Sequence, residues 1–121
     1  MTTQEVLDAY GEAWNEKDEA KRRGLLDQCW ADDGTFTDPQ ADITGREALV
    51  AHIAEFHAQF AGAQLMATST ADEHHGMVRF MWRILAADGS TMLDGTDFTT
   101  LAEDGRIQKT VGFFGPPPNA K

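Results

Sequence analysis

The sequence changes its period at Gln64, and this change constrains the fold more than any other feature. Four segments rich in alternating and β-forming residues follow, and a short turn with a glycine separates each of the last three from the segment before it. The segments are 64–71, 77–86, 92–101 and 107–114. Short glycine turns between such segments are typical of hairpins. We therefore expect an antiparallel meander.

One of these segments, 77–86, has a wholly apolar face. Successive side chains of a strand point to opposite sides, so every second residue shares a face. The apolar set, expected against the core, is Val78, Phe80, Trp82 and Ile84. Arg79, Met81 and Arg83 would lie on the outer face, where the arginines meet solvent or an interface.

Before Gln64 the residues favour helices. Thr2 and Glu5 have capping-box spacing ahead of a helix over 3–16, and Asp18 can cap a second helix. Residues 44–47 have capping-box spacing again and precede a helix that we expect to end near Gly62. A turn at residues 31–34 and a short strand ending at Pro39 would separate the second and third helices.

Helices followed by a meander predict an α+β fold, in which three helices pack on a curved, mostly antiparallel sheet. We expect one domain over residues 1–115 and a flexible C-terminal tail over 116–121. Such a cone-shaped barrel leaves an open end that can hold a small ligand. The ligand-binding residues that we expect to line it are Trp14, Phe56, Phe80, Trp82 and Phe114.

Asp97 is the most informative polar residue of the meander. Its face also carries Leu93 and Leu101, so its carboxyl group is expected in apolar surroundings, where it must be paired or functional. Tyr10 lies within the apolar stripe of the first helix. It is either a core aromatic residue or a residue whose hydroxyl group points into a cavity. Asp38 directly precedes Pro39. It is either a solvated acid in a turn or a functional acid.

Composition excludes several classes of partner. The formal charge of −10 opposes binding to nucleic acid or to an anionic membrane surface. The single cysteine, Cys29, cannot form an internal disulfide, and we expect a buried thiol in a cytoplasmic protein.

His52 and His57 are five residues apart, which is not the spacing of a helical zinc site. We therefore expect surface or helix-end histidines and neither metal nor cofactor.

Several motifs, in this order and spacing, resemble the SnoaL-like branch of the nuclear transport factor 2-like superfamily. They are Tyr10-x-x-x-Trp14-Asn15-x-x-Asp18, Trp30-Ala31-Asp32-Asp33, Thr37-Asp38-Pro39, Thr44-Gly45-Arg46-Glu47-Ala48, Gly95-x-Asp97 and Asp104-Gly105-Arg106-Ile107. The resemblance covers nearly the whole chain. It implies the cystatin-like, cone-shaped α+β barrel that the residue pattern also predicts.

Within that superfamily, three positions are similar to the catalytic residues of ketosteroid isomerases. The resemblance implies that Tyr10 is an oxyanion-hole donor, Asp38 the base, and Asp97 an acid kept neutral to donate a hydrogen bond. It also favours Phe114 on the inner face. The implied activity is a cofactor-free isomerase or cyclase that acts on a small hydrophobic carbonyl compound, more compact than a steroid because Trp14 and Trp82 narrow the cavity.

Two other hypotheses stay open. The cavity can bind an apolar ligand without catalysis, since SnoaL-like proteins include both kinds. An epoxide or ester hydrolase is the third hypothesis, but it requires an arginine beside the acids, and Arg79 and Arg83 are expected on the other face. That outer face, with Met81 and Phe98, is expected to form a twofold homodimer.

Overall fold

The structure, a computed structural model, describes residues 1–119, and residues 120 and 121 of the predicted tail lie outside the described part. Residues 116–119 form neither helix nor strand. The helices are α1 (Thr3–Asn15), α2 (Glu19–Cys29) and α3 (Arg46–Gln59). The strands are β1 (Trp30–Asp38), β2 (Ala41–Thr44), β3 (Gln64–Ala67), β4 (Asp72–His74), β5 (Met77–Leu85), β6 (Thr91–Leu101) and β7 (Ile107–Phe114).

Side-chain caps start the first two helices where the sequence predicts them. The Thr2 hydroxyl accepts from the Glu5 backbone N–H at 3.1 Å, and the Glu5 carboxylate accepts from the Thr2 N–H at 2.8 Å. Asp18 accepts from the Lys21 N–H at 3.0 Å. Each cap satisfies donors that the first turn leaves free, which fixes the entry of the chain into α1 and α2.

The capping box predicted for α3 is wrong. Gly45 is the N-cap with φ of 98°, a left-handed conformation that favours glycine, and it offers no side chain. Thr44 pairs with Thr35 in the sheet, and Glu47 accepts two hydrogen bonds from Arg23 instead. The helix also ends at Gln59, before the predicted Gly62.

The predicted α+β class is confirmed. The seven strands form one sheet in the order β2-β1-β7-β6-β5-β3, with β4 beside β5, and every pair is antiparallel except β1 with β7. The meander of β5, β6 and β7 is as predicted. The predicted strand at 64–71 ends at Ala67 as β3, and a separate short strand, β4, follows it; both pair with β5.

Strand β1 runs through the turn predicted at 31–34. Its register against β7 breaks between Trp30 and Thr35, so this segment is an irregular part of the strand. Trp30 is fully buried there. The parallel pairing of β1 with β7 brings Asp38, at the end of β1, next to the inner face of the meander, which positions one wall of the cavity.

The helices cover one face of the sheet, as their apolar stripes predict. Val78, Phe80 and Trp82 of β5 are buried, whereas Arg79 and Arg83 lie outside. The arginines form ion pairs with Asp72 and Asp94 across the outer face; these four side chains are half-exposed. The predicted facing of β5 is therefore confirmed.

The corner between α1 and α2 is tied to α3 by a buried arginine. The Arg22 guanidinium donates to the carbonyls of Glu16 at 2.9 Å, Lys17 at 3.2 Å and Val50 at 3.3 Å. These bonds satisfy a buried cation with backbone dipoles. No helix within residues 1–119 is long and apolar enough to cross a membrane.

Candidate active site

A cavity of about 370 Å³ opens between α1, α3 and the inner face of the sheet. Five large aromatic rings line it: Trp14, Phe36, Phe56, Trp82 and Phe114. Two nearly buried polar side chains, Tyr10 and Asp97, face the same space as the half-buried Asp38. The cavity therefore combines an apolar wall with three convergent polar groups, which is typical of a small-molecule site.

Asp97 lies on β6 with its side chain 6% exposed. Burial raises the pKa of its carboxyl group from 3.8 to about 7; the hydrogen bond from Trp82 opposes this rise, and the nearby charge of Asp38 adds to it. The Trp82 Nε1–H donates to Oδ1 of Asp97 at 2.9 Å. Near neutral pH, both the neutral and the charged form of Asp97 are therefore populated.

Tyr10 lies on α1, 2% exposed, and its hydroxyl has no hydrogen-bond partner among residues 1–119. Trp14 and Thr110 lie close enough to lower its pKa in part, but neither completes a hydrogen bond to it. Burial, and then the charge of Asp97, raise the pKa of Tyr10 well above its ordinary value. Tyr10 is thus a neutral, unpaired donor at the cavity, which a ligand oxygen would satisfy.

Asp38 ends β1 and faces both other groups. Its Oδ1 accepts from the backbone N–H of Gln40 at 2.8 Å, which fixes the carboxyl group in the bend that Pro39 begins. A Cβ atom at Gly112 would lie 3.0 Å from Oδ1 of Asp97 and 3.3 Å from Cβ of Asp38. The two acids therefore meet across Gly112 of β7.

The end of α1 is held at the cavity by two side chains. Asn15 donates to the Leu65 carbonyl at 2.8 Å and accepts from the Leu65 N–H at 2.7 Å. His57 bonds through Nε2 to the Trp14 carbonyl at 2.6 Å. Because a carbonyl only accepts, Nε2 carries the proton. These bonds fix Trp14 as part of the cavity wall.

The other residues predicted to bind ligand divide into two groups. Trp14, Phe56, Trp82 and Phe114 line the cavity. Phe80 does not: it belongs to the hydrophobic core. It points to the same side of β5 as Trp82, but of the two only Trp82 lines the cavity. The side of the strand on which a residue lies therefore could not show which of Phe80 and Trp82 reaches the cavity.

Sequence reasoning missed Phe36 and His52. His52 is half-buried and lines the cavity, with its ring 5.9 Å from that of Trp14 and 5.4 Å from that of Phe36. The available signal was the spacing of four residues between His52 and Phe56, which puts both on one side of α3. Glu55, Gln40 and Gln59 also line the cavity and complete a polar rim.

Charge at the cavity has one sign. Within the part of the chain that the structure describes, Asp38, Glu55 and Asp97 line it, and no lysine or arginine does. The arginines required by the hydrolase hypothesis are paired on the outer face. Residues 1–119 also contain no group of three histidine, cysteine or acidic side chains that could hold a metal ion.

Comparison with known families identifies the family of the chain. A family model described as the SnoaL-like domain matches residues 7–110. The chain belongs to the SnoaL-like family. The predicted resemblance is thus confirmed over most of the sequence, from the first helix to the strand that carries Gly112. Among curated proteins, none matches the chain significantly.

Solved structures extend the comparison. A SnoaL-like family protein from Agrobacterium tumefaciens str. C58, provisionally assigned as an isomerase, has a TM-score of 0.88 and 34% identity, covering 96% of this chain and 100% of that one. An NTF2-like protein of unknown function from Exiguobacterium sp. 255-15 has a TM-score of 0.73 and 22% identity, covering 93% and 99%.

A protein from Jannaschia sp. CCS1, provisionally assigned as a SnoaL-like polyketide cyclase, has a TM-score of 0.67 and 13% identity, covering 90% of this SnoaL-like chain and 84% of that one. At these lower identities the likeness shows the fold alone. It is the cavity of this chain that must indicate the chemistry.

Proposed function

We propose that this SnoaL-like protein transfers a proton at the carbon next to a carbonyl group, as a cofactor-free isomerase or cyclase. One observation carries the proposal: the unpaired Tyr10 hydroxyl and the partly neutral Asp97 carboxyl face one cavity that also contains Asp38. Buried donors without partners destabilise the fold, so their presence at a cavity indicates a ligand acceptor.

The three groups have complementary roles in this reaction. The Asp38 carboxylate takes the proton from the α-carbon, the electron pair of that C–H bond forms the C=C bond of the enolate, and the π electron pair of the carbonyl moves to its oxygen. Tyr10 and neutral Asp97 donate hydrogen bonds to the resulting oxyanion. In an isomerase, Asp38 then returns the same proton to another carbon of the conjugated system, so no atom is gained or lost.

The cavity also favours one class of substrate. A volume of about 370 Å³ and aromatic walls fit a small, flat, hydrophobic ketone or enone. The three acidic side chains, with no basic side chain among the lining residues described, disfavour carboxylates and phosphate-bearing thioesters. The proposed substrate is therefore neutral.

Tyr10→Phe tests the oxyanion hole. In D₂O, we expect the wild-type protein to exchange the α-protons of small β,γ-unsaturated cyclic ketones, and the variant to do so about 10²- to 10³-fold more slowly. The variant should also be more stable by about 1–2 kcal/mol, because it no longer buries an unpaired hydroxyl. NMR follows the exchange, and urea unfolding measures the stability.

A different result would support the noncatalytic alternative, in which the cavity only binds a ligand. If ketones quench the fluorescence of Trp14 and Trp82 but no α-proton exchanges above the buffer rate, the cavity binds and does not catalyse. If neither binding nor exchange occurs across the ketone panel, and Tyr10→Phe is not stabilised, the proposed role of Tyr10 is wrong.

We also propose a homodimer through the outer face of the sheet. Phe98, Phe113 and Met81 are about half exposed there, and the Phe98 and Phe113 rings lie 5.9 Å apart. Arg79 and Arg83 are neutralised by acids of the same face, so two copies can approach despite the net charge of −10. Burying apolar side chains in this way is typical of twofold interfaces.

Phe98→Lys tests this interface. We expect sedimentation equilibrium to find a dimer for the wild type and at least a tenfold weaker dimer for the variant, because a lysine would be buried at the interface. Gln28→Lys, which makes the same charge change on the exposed side of α2, is the control and should remain dimeric. A monomeric wild type would contradict the proposal.

A further inference from the structure

We propose that Trp82 is a positioning residue, whose indole N–H holds Oδ1 of Asp97 and thereby leaves the acid proton of Asp97 to Oδ2. The oxyanion donor would then be one defined oxygen of Asp97, and this last step rests on the proposed function. The hydrogen bond itself does not depend on that function.

Gly95, which has no side chain, allows the Trp82 indole to reach the Asp97 carboxyl group. Trp82 of β5 pairs with Gly95 of β6, and Asp97 follows two residues later on the same face. A Cβ atom at Gly95 would lie 2.1 Å from Cζ2 and 2.5 Å from Cε2 of Trp82, which is far inside contact distance. The indole therefore lies directly over the Gly95 backbone, and only glycine permits this.

A second glycine completes the surroundings of Oδ1. Gly112 of β7 pairs with Asp97 from the other side, and a Cβ atom there would lie 3.0 Å from Oδ1. Gly95, two residues before the acid on β6, provides space for the ring, and Gly112, opposite the acid on β7, provides space for the carboxyl group. The niche is built around one orientation of the Asp97 side chain.

The chemistry of the indole decides which oxygen is protonated. An indole N–H is a donor only, so Oδ1 of Asp97 accepts in both charge states. In the neutral acid the proton is therefore favoured on Oδ2. The same hydrogen bond stabilises the carboxylate and opposes the effect of burial on the pKa of Asp97. The titratable groups that share the cavity with Asp97 are Tyr10, Asp38, His52 and Glu55.

Trp82→Phe keeps an aromatic ring and removes the donor. We expect the pKa of Asp97, followed by ¹³C NMR of its carboxyl carbon, to rise by about 1 to 2 pH units above its wild-type value near 7. In the wild type, the indole N–H resonance of Trp82 should titrate with the same midpoint as Asp97. Trp14→Phe, the same exchange elsewhere in the cavity wall, should leave the pKa of Asp97 unchanged.

Gly95→Ala tests the geometry separately. The added methyl group must displace the indole, so this variant should also raise the pKa of Asp97, but have no further effect when combined with Trp82→Phe. An unchanged pKa in folded Trp82→Phe would overturn the proposal, even if Gly95→Ala fails to fold.

These titrations need no substrate, so they stand whether or not the protein proves to be an enzyme. If ketone exchange is observed, the pH at which exchange declines should move upward in Trp82→Phe by the same amount as the pKa of Asp97. A purely structural role for Trp82 would lower activity without moving that pH.

Discussion

Asp38→Asn is expected to lower the turnover of a β,γ-unsaturated ketone by about 10²- to 10⁴-fold, because an amide cannot accept the α-proton. The fold should be unaffected, since Asp38 is half-buried and an asparagine oxygen can still accept the hydrogen bond from the Gln40 N–H. Substrate binding should change little, so the loss should appear in kcat rather than in KM. Steady-state kinetics and unfolding curves check these expectations.

A neighbouring acid provides the control. Asp42 of β2 lies on the strand paired with β1, accepts from the Thr37 hydroxyl and does not line the cavity. Asp42→Asn should therefore keep the wild-type rate. Full turnover by Asp38→Asn would show that another group, such as Asp97, is the base.

Asp97→Asn is expected to change how stability depends on pH. The pKa of Asp97 is about 7 in the folded chain and 3.8 as its ordinary value, so the folded state holds this proton more tightly. The stabilisation from that proton is fully present below pH 3.8, falls as pH rises, and is lost above about pH 7. The wild type therefore carries the free-energy cost of a buried charge at pH 8.

The asparagine variant avoids that cost, because its amide resembles the neutral acid and can still accept from Trp82. We expect its free energy of unfolding to match the wild type near pH 4 and to exceed it by up to about 4 kcal/mol at pH 8. Urea unfolding at a series of pH values measures the difference, with Asp42→Asn as the control. A difference that is the same at every pH would show that Asp97 is not abnormal.

The sequence could predict which side chains of β5 and β6 point inward, because the alternation of side chains along a strand is a local property. Val78 and Trp82, as well as Asp97 and Thr99, are buried as their positions in β5 and β6 require. In β7 alternation alone could not decide, and the structure explains why. Thr100 pairs with Lys109 and Leu101 with Ile107, so one extra residue puts both Ile107 and Thr110 inside.

Long-range pairing was less accessible from sequence. Strand β2 has only four residues with little apolar pattern, and it forms because β1 lies beside it. The convergence of Asp38 with Asp97 depends on the parallel pairing of β1 with β7, which no local signal encodes. Alternation singled out Asp97 and the resemblance implied the roles of Tyr10, Asp38 and Asp97, whereas the Trp82–Asp97 hydrogen bond came only from the structure.

The paired hydrogen bonds between Asn15 and Leu65 have a consequence for self-association. Strand β3 is an edge of the sheet, where unpaired peptide groups can recruit a strand from another molecule. The Asn15 amide offers one donor and one acceptor to the Leu65 peptide, as a further strand would. It therefore occupies part of this edge and opposes the addition of a strand from another molecule at Leu65.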